Sequence, residues 1–151
     1  MTNDIISKAN IELKARAQNW RHAIQLVGGL LTENGYTTED YTNEMIHAVE
    51  TLGPYIVVAP GIALAHSRPA PSVIKTGLSL VTLVGPINFG SEENDPVELV
   101  FGLCATDSNS HIQIISRLVQ FLDNDENIEF LKRCTDSGDV WLAINRLEEG
   151  I

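Results

Sequence analysis

The chain has 151 residues, 44% of them hydrophobic and 20% charged, and this composition predicts one globular domain over residues 1–151. Its formal net charge of −10 argues against nucleic acid and anionic lipid as partners, because their phosphates repel so acidic a chain. No apolar run is long enough to cross a bilayer and the N-terminus lacks a secretory pattern, so we expect a cytoplasmic protein without direct membrane insertion.

The first part of the chain predicts a short strand followed by two amphipathic helices. Residues 11–17 alternate weakly, as a strand does, and Asn19 is a candidate N-cap for the first helix. Gly35 suits the left-handed position that ends a helix, and a second helix runs from about residue 37 to Gly53. The apolar residues that recur at helical spacing are Trp20, Ala23, Ile24, Val27, Leu30 and Leu31 in the first helix, and Tyr41, Met45, Ala48, Val49 and Leu52 in the second.

The middle of the chain predicts strands. β-Branched residues favour a strand over 55–59, which Pro60 and Gly61 interrupt before residues 62–64 extend again. The segments 76–84 and 97–105 are typical of strands that are buried on one or both faces, and a polar loop separates them.

The last third of the chain predicts three helices. Two apolar stripes at helical spacing contain Ile112, Ile115, Leu118, Val119 and Leu122 in one, and Val140, Trp141, Ile144 and Leu147 in the other, with a shorter helical piece between them. The resulting order β-α-α-β-β-β-α-α-α predicts an α/β (α+β) fold in which helices flank a mixed sheet. The two cysteines lack metal-site or CxxC spacing, and we interpret Cys104 as a buried hydrophobe and Cys134 as part of a helical apolar stripe.

Two histidines are predicted to follow strand ends. His66 stands inside PGIALAHSRPAP, between an apolar run and prolines that stiffen the exit. His111 opens a helix and, with Ser108 as N-cap, would occupy the third helical position beside the positive end of the helix dipole. His22 and His47 are interpreted as ordinary solvated helix histidines. The alternative for His66 is a structural role at a turn.

Strand ends that meet at one edge of a sheet are a common place for a site, so His66 and His111 are expected to face each other there. A neutral imidazole offers a nucleophilic lone pair, a second can donate a hydrogen bond, and the Arg68 guanidinium suits phosphate oxygens. This combination favours a phosphoryl group. A zinc site would need more ligands, and the chain has neither a G-x-S-x-G elbow nor an ATP-binding Gly-rich loop.

The same segments resemble a known family. The motif G-I-A-L-x-H at 61–66, N-D-P-V at 94–97 and the strand-then-helix segment ending at His111 resemble the fructose–mannitol type (type 2) of enzyme IIA in the bacterial phosphoenolpyruvate:sugar phosphotransferase system. The resemblance covers essentially the whole chain and implies the mannitol/fructose-like enzyme IIA fold. G-P-Y before the glycine and H-S-R-P at 66–69 are most similar to the ascorbate-specific branch.

The resemblance implies a phosphocarrier that needs no cofactor and no metal. His66 would accept a phosphoryl group from phosphorylated HPr and pass it to a cysteine of enzyme IIB, and the membrane component IIC would couple that transfer to solute uptake. His111 would hydrogen-bond the phosphoryl oxygens. Many members carry an arginine where this chain has Val49, so Arg68 is the candidate source of positive charge, and the departure favours the ascorbate-like branch.

Two other functions stay open at this point. The first is a regulatory relative of the nitrogen type, which uses the same fold and histidine without transport, although its typical members keep the arginine. The second is a plain interaction domain in which His66 is structural.

Overall fold

The computed structural model describes residues 4–146, and a five-stranded mixed sheet lies at its centre. The strands are β1 (Ile11–Ala15), β2 (Val57–Ala59), β3 (Ile62–Ala65), β4 (Gly77–Ile87) and β5 (Val97–Cys104). The helices are α1 (Trp20–Glu33), α2 (Glu39–Leu52), α3 (Ile112–Leu122), α4 (Asp125–Arg133) and α5 (Ser137–Arg146), and a 3₁₀ turn (Lys8–Asn10) precedes β1. None of the helices in this range combines the length and apolarity that crossing a bilayer requires.

The order of strands across the sheet is β1-β4-β5-β3-β2. β3 runs parallel to β5, with Ala65 opposite Gly102, whereas β4 is antiparallel to β5 and β2 is antiparallel to β3. Because β3 and β5 are parallel neighbours, their carboxyl ends meet at the same edge of the sheet. The segments that follow β3 and β5 therefore begin close together at that edge.

Helices cover both faces of the sheet. Val100 and Cys104 of β5 belong to the core cluster beneath α1 and α2, and Leu99, Phe101 and Leu103 belong to the cluster beneath α3, α4 and α5. This alternation follows from the two-residue period of a strand, and both sets are apolar because neither face meets water. The predicted fold class, a mixed sheet flanked by helices, is confirmed.

The predicted ends of α1 are also confirmed. The Asn19 side chain accepts a hydrogen bond from the His22 N–H, as an N-cap does. Gly35 has a φ of +85°, and the Tyr36 N–H donates to the Leu31 carbonyl at 2.8 Å, which closes the last turn.

Several predicted boundaries and faces are wrong. The short segments on either side of Pro60 form two paired strands, β2 and β3, so the order contains one strand more than predicted. Leu52 and Ile112, both assigned to inner helix faces, are 70% and 57% exposed, and Val119 is exposed too. Cys134 caps the end of α4 in extended conformation instead of continuing the helix. Leu147 lies outside the described residues.

Candidate active site

His66 directly follows β3, at the edge where the carboxyl ends of β3 and β5 meet. β3 is held on both sides, since it pairs with β2 and with β5. The side chain of His66 is half-buried, and its neighbours fix it at several points.

The hydrogen bond of the His66 imidazole determines which of its nitrogens can react. Its Nδ1 lies 2.8 Å from the Leu64 carbonyl oxygen, and a carbonyl only accepts, so Nδ1 donates. In the neutral ring the lone pair is then on Nε2. A ring held in this tautomer is ready to act as a nucleophile through Nε2.

Two tyrosines hold the backbone around His66. The Tyr55 hydroxyl donates to the His66 carbonyl at 3.0 Å, and its ring lies edge-on to the imidazole with centroids 5.2 Å apart. The buried Tyr41 hydroxyl donates to the Leu103 carbonyl of β5 at 2.7 Å and accepts from the Ser67 N–H at 3.0 Å. Burial raises the pKa of the Tyr41 hydroxyl, which therefore stays protonated as this donor.

His111 lies at the start of α3, but not at the predicted position. It is itself the N-cap residue, because the Asp107 carboxylate accepts from the N–H groups of Asn109 and Ser110 and holds that segment in a turn. Ser108 therefore does not cap the helix. These hydrogen bonds also lower the pKa of Asp107. Within residues 4–146, the buried Nδ1 of His111 makes no hydrogen bond.

One cleft of about 780 Å³ brings the three predicted site residues together. The residues from the strand ends that line it include His66, Arg68, Ser108 and His111, and Tyr55 lies beside them. His66 and His111 also share a smaller apolar cavity of about 160 Å³ with Tyr41, Leu64 and Ile115. Arg68 is exposed and lines the cleft.

Val49, the position where the family resemblance implies an arginine in many members, lies in the core and does not line the cleft. Val49 is 6% exposed and packs in the core with Met45 and Tyr41. The residue of α2 that lines the cleft at this level is Ala48. A side chain at position 49 of this chain points into the core. The residue type at that position therefore does not determine the charge of the cleft.

Sequence reasoning also missed the cleft face of α2. The side chains of this face that line the cleft are Asp40, Asn43, Glu44, His47, Ala48 and Leu52. His47 was interpreted as an ordinary solvated histidine, although Asp40, Glu44 and His47 recur at helical spacing beside the buried stripe. That recurrence is the signal that could have identified this face.

Neither Cys104 nor Cys134 is among the described residues that line the cleft. Cys104 is buried, and desolvation raises the pKa of its thiol to about 11, so the neutral thiol is a poor nucleophile at physiological pH. Among the residues that the structure describes, no group of three or more His, Cys, Asp or Glu side chains could hold a metal ion.

The Tyr41 hydroxyl is expected to matter for stability. Tyr41→Phe leaves the Leu103 carbonyl and the Ser67 N–H without their partner, which should destabilise the fold by about 2 kcal/mol. For a chain of this length that corresponds to a Tm about 4–8 °C lower, measurable by scanning calorimetry. The matched control is Tyr36→Phe, since the Tyr36 ring stacks on Lys75 outside the cleft. Equal Tm values for the two variants would contradict the expectation.

Comparisons with known proteins agree on one family. The family model described as phosphoenolpyruvate-dependent sugar phosphotransferase system, EIIA 2, matches residues 4–147. The ascorbate-specific PTS system EIIA component of Escherichia coli (strain K12) is 34% identical over 147 residues, which cover 97% of this chain and 96% of that protein.

Solved structures give the same result for the fold. The mannitol-specific cryptic phosphotransferase enzyme IIA CmtB from Escherichia coli has a TM-score of 0.84 at 31% identity, covering 94% of this chain and 96% of that one. The complex of Escherichia coli enzyme IIA for mannitol with phosphorylated enzyme IIB for mannitol matches with a TM-score of 0.81 at 30% identity, covering 92% and 96%.

Proposed function

The chain belongs to the EIIA 2 family of the phosphoenolpyruvate-dependent sugar phosphotransferase system and is one of its phosphotransferase carriers, and we propose a specific route for the phosphoryl group. His66 accepts it from phosphorylated HPr and passes it to a cysteine of the cognate enzyme IIB. The solute carried by the associated membrane component IIC is ascorbate, since the similar Escherichia coli component is named ascorbate-specific.

The observation that carries this proposal is the hydrogen bond from His66 Nδ1 to the Leu64 carbonyl. It leaves Nε2 as the nitrogen with a lone pair, on a side chain that lines the same cleft as His111 and Arg68. A histidine with a purely structural role at a turn has no need of a cleft in front of it.

Each transfer is an in-line displacement at phosphorus. In the first, the Nε2 lone pair forms a new N–P bond while the bond between phosphorus and the HPr donor breaks. In the second, a thiolate of enzyme IIB forms an S–P bond while the N–P bond breaks, and the electron pair returns to Nε2. The protein contributes positioning and charge stabilisation, because the chemistry needs no further covalent step.

The residues around His66 stabilise the negative charge of the transferred phosphoryl group. His111, at the positive end of the α3 dipole, donates a hydrogen bond to a phosphoryl oxygen. Arg68 adds a positive charge to the cleft, which the carboxylates of Asp40 and Glu44 also line. The Glu44 carboxylate already accepts a hydrogen bond from the Ser72 hydroxyl at 3.0 Å.

Apolar side chains at the rim suit alternating partners. Leu52 lines the cleft and Ile112 directly follows His111, and both are exposed. Exposed apolar groups beside a reactive residue are typical of a protein contact surface. HPr and enzyme IIB use this one surface in turn, in the cytoplasm, so each complex is transient.

Reconstitution tests the route. The purified chain is incubated with labelled phosphoenolpyruvate, enzyme I and HPr, and enzyme IIB is then added. One phosphate is expected to appear on this chain only when HPr is present, and to move to enzyme IIB. Absence of label contradicts the donor, and label that never leaves for enzyme IIB indicates a regulatory relative.

A further inference from the structure

Tyr55 contacts His66 at two separate points. Its hydroxyl donates to the His66 backbone carbonyl at 3.0 Å, and its ring meets the imidazole at an interplanar angle of 83° with centroids 5.2 Å apart. The two residues are 11 positions apart in the chain. One end of the tyrosine thus holds the backbone of His66, and the other end packs against its ring.

The turn before Tyr55 sets its direction. Gly53 has a φ of +87°, and the Tyr55 N–H donates to the Gly53 carbonyl at 2.8 Å. The next residue continues this attachment, because the Ile56 carbonyl accepts from the Leu64 N–H at 2.8 Å. The backbone on which Tyr55 stands is therefore anchored to the same strand that leads to His66.

The hydrogen bond to Leu64 alone does not fix the plane of the imidazole. A ring with one hydrogen bond can still rotate about the axis that joins Nδ1 to the carbonyl oxygen. A tyrosine ring packed across it at nearly a right angle blocks that rotation from one side. The phenol itself cannot swing away while its hydroxyl holds the His66 carbonyl.

Packing in the hydrophobic core does not explain the presence of a tyrosine at position 55. The side chain is 39% exposed and lines the cleft, so its hydrophobic burial is small beside that of Tyr41. Partial burial raises the pKa of its hydroxyl, which keeps the donor protonated at physiological pH.

We propose that Tyr55 is a positioning residue that fixes the orientation of the His66 ring, and hence of its Nε2 lone pair, for both phosphoryl transfers. The importance of this for rate rests on the proposed function of His66. In-line displacement tolerates little angular error, and a misplacement of about 1 Å lowers a rate by about a hundredfold. Loss of the positioning therefore lowers kcat and leaves KM for the donor protein unchanged.

Two variants separate the contacts of Tyr55. Tyr55→Phe keeps the ring and removes the hydroxyl, and we expect kcat for phosphorylation by phospho-HPr to fall by about threefold to tenfold. Tyr55→Leu removes both contacts, and the expected loss is about thirtyfold to a hundredfold. Tyr36→Phe is the matched control, since Tyr36 lies in a different cavity with Lys8 and Trp141.

The ring of His66 gives a readout that does not depend on any partner protein. In ¹³C relaxation measurements the C–H groups of the wild-type ring are expected to be as rigid as the backbone, and Tyr55→Leu is expected to lower their order parameters, while Nδ1 stays protonated in both proteins because the bond to Leu64 remains. If HPr fails to phosphorylate even the wild type, the proposed function fails while this measurement still tests the positioning.

Two results would overturn the proposal. The first is a Tyr55→Leu protein with the wild-type order parameters for the His66 ring and a kcat within about twofold of wild type. The second is a rise of KM alone, which makes Tyr55 a docking contact. Tyr55→Phe retains the packed ring, so the order-parameter and rate measurements on it decide the matter if Tyr55→Leu does not fold.

Discussion

His66→Ala is expected to lose phosphorylation by phospho-HPr by more than about a thousandfold, because it removes the nucleophile itself. Among the described histidines that line the cleft, His66 is the one whose Nδ1 is bonded to a backbone carbonyl, which leaves the lone pair on Nε2. The initial rate of label transfer from phosphoenolpyruvate, through enzyme I and HPr, measures the effect. Folding of the variant is checked by its Tm and amide spectrum.

His47→Ala is the matched control for this experiment. It removes another imidazole that lines the same cleft, so general changes in the charge or shape of the cleft are reproduced. The control is expected to take up one phosphate per chain, as the wild type does. Equal labelling of His66→Ala and wild type would mean that the phosphoryl group goes to a different residue.

His111→Ala is expected to accept phosphate but to deliver it to enzyme IIB about a hundredfold to a thousandfold more slowly. Removing one preorganised donor to a developing charge has an effect of this size, and His111 stands at the positive end of α3. A single-turnover chase of the phosphorylated chain with enzyme IIB measures the rate.

His22→Ala serves as the control for His111, since it also removes a histidine from the start of a helix, α1, but outside the cleft. Its chase rate should equal that of the wild type. A His111→Ala chase that is equally fast would remove His111 from the transfer step and leave it as a structural residue at the helix start.

The elements with strong patterns could be predicted from the sequence. The strand predicted at 97–105 is β5 (Val97–Cys104), because a segment buried on both faces is apolar throughout. Asn19 and Gly35 allowed the ends of α1 to be predicted, because an Asn side chain suits an N-cap and glycine suits the left-handed position after a helix. His66 and His111 each follow a predicted strand, and those strands, β3 and β5, are parallel neighbours. The meeting of the two histidines at one edge of the sheet was therefore predictable.

The start of α3 could not be predicted from the same kind of pattern. Ser108 is a good N-cap residue by type, but the Asp107 carboxylate binds the N–H groups of Asn109 and Ser110 first. The helix consequently begins at Ile112. Competition between two neighbouring capping groups depends on the geometry of the turn, which residue types alone do not specify.

Helical periodicity also could not separate core residues from residues that face the cleft. Leu52 and Ile112 have the spacing of an inner face, yet both are exposed beside the site. Apolar surface for a protein partner and apolar surface for the core give the same pattern in a sequence. The contact between Tyr55 and His66 has no periodicity at all, because it joins a turn to a strand end.

A ¹⁵N–³¹P NMR measurement on the chain after phosphorylation by phospho-HPr shows directly which atom carries the phosphoryl group. We expect one phosphorus atom, bonded to Nε2 of His66, with the ring resonances of His111 shifted by the new group. A phosphorus bonded to any other nitrogen, or unchanged His111 resonances, would contradict this expectation.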